Sequence, residues 1–138
     1  MGRSYWFECA KCGHRALVAG RAERGLSFAI QTILCRDCKQ LYDAVTRLKV
    51  IEPRTALWEG KLPKPKVPRP RLPGVPPTFQ AVLSRLPPKG GGRPRWLAFP
   101  IRCPLSPFHR VQEWNAPDRC PRCGVMLEKG ALPFRLWD

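Results

Sequence analysis

The chain has little of what most enzymes work with. Of its 138 residues only two are histidine and ten are acidic, and the acids are scattered without a close acid/base pair. Gly90-Gly91-Gly92 lacks the Lys-Ser/Thr pair that completes a phosphate-binding loop. No constellation supports catalysis, so a non-catalytic binding protein is expected, with no catalytic residues and no small-molecule substrate. No stretch approaches the roughly 18 apolar residues of a membrane span. The first residues, Met1 to Cys9, lack the apolar centre of a signal peptide, which makes a cytoplasmic location the expectation. Long regular elements are missing too. Seventeen prolines and eleven glycines interrupt the sequence, and proline fits poorly inside helices and central strands. Short pieces of chain cannot build a large core, and segments below about 40 residues usually rely on disulfides, metal or a partner.

Seven cysteines are present, an odd number for a disulfide framework. In a reducing compartment, cysteines in Cys-x-x-Cys pairs more often bind metal than form structural bridges. Cys9-Ala10-Lys11-Cys12 and Cys35-Arg36-Asp37-Cys38 are two such pairs, with 22 residues between them. Each turn presents two thiolates toward a tetrahedral ion, and Gly13 suits the positive backbone angle of a tight turn. The expected metal set is therefore Cys9, Cys12, Cys35 and Cys38. Around it, Tyr5–Glu8 and Arg15–Ala19 read as a strand and its return. Leu26–Leu34 is rich in β-formers, and Leu41–Ile51 reads as a last strand.

On those two pairs and Gly13, residues 5 to 51 resemble the zinc-ribbon superfamily, small uncharacterised bacterial-type double-ribbon proteins included. The resemblance implies a zinc ion clamped between two knuckles on a small antiparallel sheet. The second knuckle departs from the symmetric pattern, because Lys39 stands where a glycine is usual. An iron centre of the rubredoxin type is the minor alternative. It is disfavoured here because rubredoxin-like knuckles both carry the glycine.

A second set lies near the other end. Cys120-Pro121-Arg122-Cys123-Gly124 is another knuckle, and Cys103 and His109, with five residues between them, offer one sulfur and one imidazole. Three cysteines and one histidine make an ordinary structural zinc set with no open position. Cys103, His109, Cys120 and Cys123 are thus the second expected site, with water or Asp118 as the substitute should His109 not ligate. His14 reads as solvated or as a donor beside the first site. The aromatics Trp96, Phe99, Phe108, Trp114, Phe134 and Trp137 are expected to bury themselves around the second metal.

The fold class that follows is small, metal-stabilised and mainly β, with two zinc-ribbon-like modules, residues 1–52 and 96–138. A basic Pro-rich linker, residues 53–95, joins them. Residues 53–102 hold eleven Lys/Arg and one acid, against nine and five before and five and four after. Within it, Phe79, Val82, Leu83 and Leu86 follow the spacing of one helical face, with Thr78 as N-cap and Pro87-Pro88 as the stop. That predicts a short helix near 78–86, docked on one of the metal modules. The formal charge is +15; a four-thiolate zinc site carries a net −2 and a three-thiolate one −1, which lowers it to about +12.

A Pro-rich cationic arm can follow a phosphate backbone at small entropic cost, which points to nucleic acid, with RNA favoured over DNA because no recognition-helix pattern is visible. The contact residues expected are Lys61, Lys64, Lys66, Arg69, Arg71, Lys89, Arg93 and Arg95. The zinc-ribbon resemblance implies an accessory of ribosomal or transcription machinery. The competing expectation is a protein-interaction adaptor that docks on a larger assembly through the zinc modules and the 79–86 helix.

Overall fold

A computed structural model describes residues 1–52, 76–84 and 92–138. Aromatic and β-branched side chains around the first cysteine pair give β1 (Gly2–Glu8) and β2 (Arg15–Val18), antiparallel from Tyr5↔Val18 to Glu8↔Arg15. After the short β3 (Glu23–Arg24), β4 (Phe28–Cys35) runs antiparallel to the long β5 (Gln40–Glu52). Phe28 to Ile33 are all buried, apolar and β-branched residues interrupted by Gln31, whose amide donates to the Thr32 carbonyl at 2.9 Å. Between Ala29/Arg47 and Ile30/Val45 the register slips by one residue, so Thr46 is the extra residue of a bulge.

The predicted helix forms as α1 (Phe79–Leu83). The Thr78 hydroxyl accepts from the Ala81 backbone N–H at 3.2 Å, satisfying one of the donors a helix start leaves open. Phe79 and Val82 are buried and Leu83 packs partly against the same core, so the helix is docked. The apolar face offered to an adaptor's partner is therefore spent inside the protein. Leu86, the last residue of the expected face, lies outside the described residues.

Four strands follow: β6 (Arg93–Ala98), β7 (Val111–Glu113), β8 (Glu128–Lys129) and β9 (Arg135–Trp137). Among the described residues none of these pairs with another of the four. β6 adds to β5, β7 to β4, and β8 and β9 to the two ends of β1. This corrects the division into independent modules at 1–52 and 96–138. Strands of two or three residues cannot hold a separate sheet, and they gain their hydrogen bonds by extending the longer N-terminal strands.

Two sheets result, one in the order β2-β1-β8 with β9 on β1, the other β3-β4-β5-β6 with β7 on β4. Two apolar clusters lie with them. One gathers Phe7, Val18, Leu41, Trp114 and Leu127 beside two cysteines; the other gathers Phe28, Ile30, Val45, Leu48, Phe79 and Trp137. Trp137 stacks on Phe28 at 4.6 Å and meets Phe79 edge-on at 5.5 Å, so the chain's last residues are docked.

Candidate metal centres

All eight expected ligands are brought into two clusters, but with different partners. Cys9 and Cys12 join Cys120 and Cys123; Cys35 and Cys38 join Cys103 and His109. Within each group the ligand atoms lie within 4.8 Å of one another. The expected sets Cys9/Cys12/Cys35/Cys38 and Cys103/His109/Cys120/Cys123 are thus both replaced. The physical reason is the sheet: β8 lies on β1 and β7 on β4, so each C-terminal ligand pair arrives beside an N-terminal knuckle.

The first centre is nearly symmetric. The Cys9 N–H donates to the His14 carbonyl at 2.8 Å and the Gly13 N–H to the Cys9 carbonyl at 3.0 Å. The opposite knuckle repeats this with Cys120 to Val125 at 2.6 Å and Gly124 to Cys120 at 3.0 Å. Gly13 and Gly124 have φ of 74° and 77°, the left-handed region that glycine enters without steric cost. The sulfurs of Cys9 and Cys123 are 3.2 Å apart and those of Cys12 and Cys120 3.7 Å. Four ligands around one tetrahedral ion with metal–sulfur bonds near 2.3 Å would stand about 3.8 Å apart, so the spacing fits. All seven thiols are free of disulfides.

The second centre is irregular. β4 ends on Cys35, and Lys39 after the knuckle adopts φ of 51° without being glycine. Cys38 and Cys103 sulfurs are 3.7 Å apart, and His109 Nδ1 stands 3.3 Å from the Cys38 sulfur and 3.6 Å from that of Cys35. His109 therefore presents Nδ1. The Asp37 carboxylate accepts from the Arg110 N–H at 2.7 Å, and the Arg36 N–H donates to the Arg110 carbonyl at 3.0 Å. These bonds fasten the residue beside His109 to the knuckle it faces. Asp118 is outside both clusters and accepts instead from the Arg119 N–H.

The thiols are unevenly poised. The backbone N–H of Cys12, then the Cys123 thiol, hold Cys9 down to about 6. Burial pushes Cys38 up to about 11. Neighbouring thiolates repel, and a bound cation is what allows a whole set to ionise.

His14 is buried, not solvated, and belongs to neither cluster; its Nε2 has no partner among the described residues. Burial, then the Arg122 charge, lower its pKa. The aromatic expectation divides. Trp114 and Trp137 are buried, whereas Phe108 is 93% exposed and Phe134 is exposed with its ring against Trp6.

Of the expected nucleic-acid contacts, Lys61, Lys64, Lys66, Arg69, Arg71 and Lys89 lie outside the described residues. Arg93 and Arg95 are exposed on β6. Among the described residues, no helix is long and apolar enough to cross a membrane. The correct pairing did leave a signal in the sequence: only Cys9–Gly13 and Cys120–Gly124 share the Cys-x-x-Cys-Gly form. No protein-family profile, no curated protein and no solved structure matches the chain.

Proposed function

We propose that this is a non-catalytic cytoplasmic zinc protein, zinc-ribbon-like at its knuckles, that binds nucleic acid, RNA in preference to DNA, as an accessory of ribosomal or transcription machinery. Zinc suits both centres: a Cys3His set is a usual structural zinc set, and four thiolates at this spacing are another. The glycine argument against iron does not extend to the first centre, since both of its knuckles carry the residue. Metal analysis by mass spectrometry should return two zinc per chain, and a colourless protein separates zinc from an iron tetrathiolate.

The observation that carries the nucleic-acid reading is the unbalanced charge. Lys and Arg number 25 against ten acids, so even full pairing of every acid would leave most of the cations over. Surplus cations on a scaffold fixed by metal suit a polyanion. A gel-shift series on generic RNA and DNA tests it. Affinity should fall steeply as salt rises through counterion release, and absence of binding at low salt rejects the reading.

Leu105 and Phe108, 71% and 93% exposed between two ligands of the second centre, favour a second reading as a protein-docking adaptor. Apolar docking through that loop would survive the salt that strips RNA.

A further inference from the structure

The outer face of the larger sheet carries a surface that the basic linker reading does not include. Cross-strand partners share a face, and side chains two apart on one strand do too. Arg24 pairs with Ala29, Ala29 with Arg47 and Arg47 with Ala98, while Lys49 pairs with Trp96. Four strands therefore place Arg24, Arg47, Lys49 and Trp96 on one side, opposite the side on which Phe28 and Leu48 enter the core. Ala29, on the inner strand β4, keeps the face low between Arg24 and Arg47. Across it the Arg24 guanidinium reaches over the Trp96 ring, 5.1 Å from its centroid.

Arg24 and Arg47 are exposed, and Lys49 and Trp96 are half-buried. Among the described residues none of the three cations enters an ion pair. Two acids near Arg24 in the fold have partners already: Glu23 pairs with Arg21 at 2.7 Å, and Asp138, whose backbone lies against Gly25, pairs with the Met1 amine at 3.3 Å. A tryptophan ring beneath a guanidinium, with two further cations on the neighbouring strand, offers an unpaired base something to stack on and phosphates something to pair with. A duplex hides its base faces and would gain only the charges.

We propose that the Arg24–Trp96 stack with Arg47 and Lys49 is a docking platform for single-stranded nucleic acid: an unpaired base stacks on the Arg24–Trp96 pair, and Arg47 and Lys49 hold the flanking phosphates. The inference rests on the nucleic-acid reading above and names its substrate class and its site.

The test uses the full-length metal-loaded protein and fluorescence anisotropy with a labelled oligouridylate of about 20 nucleotides, beside an RNA duplex of equal length. The single strand should bind about tenfold tighter than the duplex. Arg47→Gln/Lys49→Gln should lower single-strand affinity at least about tenfold in low salt and reduce the slope of log affinity against log salt by roughly 1.4, the value for two phosphates released from a single strand. Trp96→Leu should weaken the single strand about tenfold, leaving duplex binding and the salt slope unchanged. Two metals per chain and an unchanged circular dichroism spectrum show that a variant is folded. If Trp96→Leu fails that check, Trp96→Phe, which keeps a smaller ring, should give a partial loss on the single strand alone.

The outcomes separate the two claims. If the wild-type chain binds neither RNA at low salt, the nucleic-acid reading falls and the platform with it. If it binds and the Arg47/Lys49 variant binds equally well, or strand and duplex bind alike whatever residue 96 is, the platform is overturned and the broader reading stands. Tighter binding to phosphatidylserine vesicles or to an acidic peptide than to the oligouridylate also overturns it.

Discussion

Cys9 and Cys123 lie 114 residues apart in the chain, and their sulfurs stand 3.2 Å apart. Each candidate metal centre thus joins a knuckle near the start of the chain to ligand residues near its end. Ligand clusters and sheet agree, because β8 on β1 and β7 on β4 bring the same segments together.

Paired substitutions discriminate this arrangement from one in which neighbouring knuckles share a metal. Cys9→Ser with Cys120→Ser removes two ligands of one centre and should leave one metal per chain. Cys9→Ser with Cys35→Ser strikes both centres and should leave none, whereas neighbouring knuckles sharing a site would retain one. Metal content after gel filtration reads the difference. Chelating both metals should unfold the chain, since structural zinc contributes on the order of 10 kcal/mol to folding in small domains.

The strands β1, β2, β4 and β5 were legible because their aromatic and β-branched runs are long enough to carry a pattern, whereas β3, two charged residues at Glu23–Arg24, was not. The helix was legible from Thr78 and the spacing of Phe79, Val82 and Leu83. The C-terminal strands were not. Glu128–Lys129 and Arg135–Trp137 are too short for any periodicity to register, and they exist as strands only because β1 has edges to offer. All eight ligands could be read from residue type, but their grouping is tertiary information. Proximity along the chain favoured the wrong partners, although the two matching glycine knuckles held the right ones. Trp96 illustrates the same limit: its place among Arg24, Arg47 and Lys49 depends on register across four strands.

Asp43 makes stability depend on pH. Burial pushes its carboxyl from 3.8 up to about 6, against the opposing hydrogen bonds from the Thr32 hydroxyl and the Ala19 N–H. With a folded value above the unfolded one, the native state holds the extra proton between about pH 4 and 6. Its contribution is therefore full below about pH 4 and is lost as pH rises through 6. Between pH 5 and 7 this should cost about 1 kcal/mol. The metal centres titrate as well, so the quantity to measure is the difference in urea midpoint between wild type and Asp43→Asn across that range. The wild type should lose stability relative to the variant as pH rises; a constant difference would show that Asp43 does not titrate there.

Helix α1 should be held by its core contacts more than by its cap. Thr78→Ala leaves the Ala81 N–H without its 3.2 Å acceptor and should cost about 1 kcal/mol. Phe79→Ala empties a site against Phe28 and Trp137 and should cost about 3–5 kcal/mol. Thermal unfolding of the metal-loaded variants orders the two. Equal, small effects would mean that the helix does not dock where Phe79 is buried.

The seat of Trp137 is tested most sharply from the opposite end of the chain. Gly2 pairs with Trp137 across β1 and β9, and a Cβ at Gly2 would clash with the six-membered ring of the indole. Gly2→Ala must then displace a side chain that is 5% exposed and stacked on Phe28. Overpacking of this kind should cost about 1–3 kcal/mol. Trp137→Ala alone should cost more, about 3–5 kcal/mol, by leaving a cavity beside Phe28 and Phe79. Because Trp137→Ala also removes the ring that Gly2→Ala strikes, the double variant should be less unstable than the two losses added together. Additive losses in chemical denaturation would mean that Gly2 and Trp137 do not touch, and β9 would then not lie on β1.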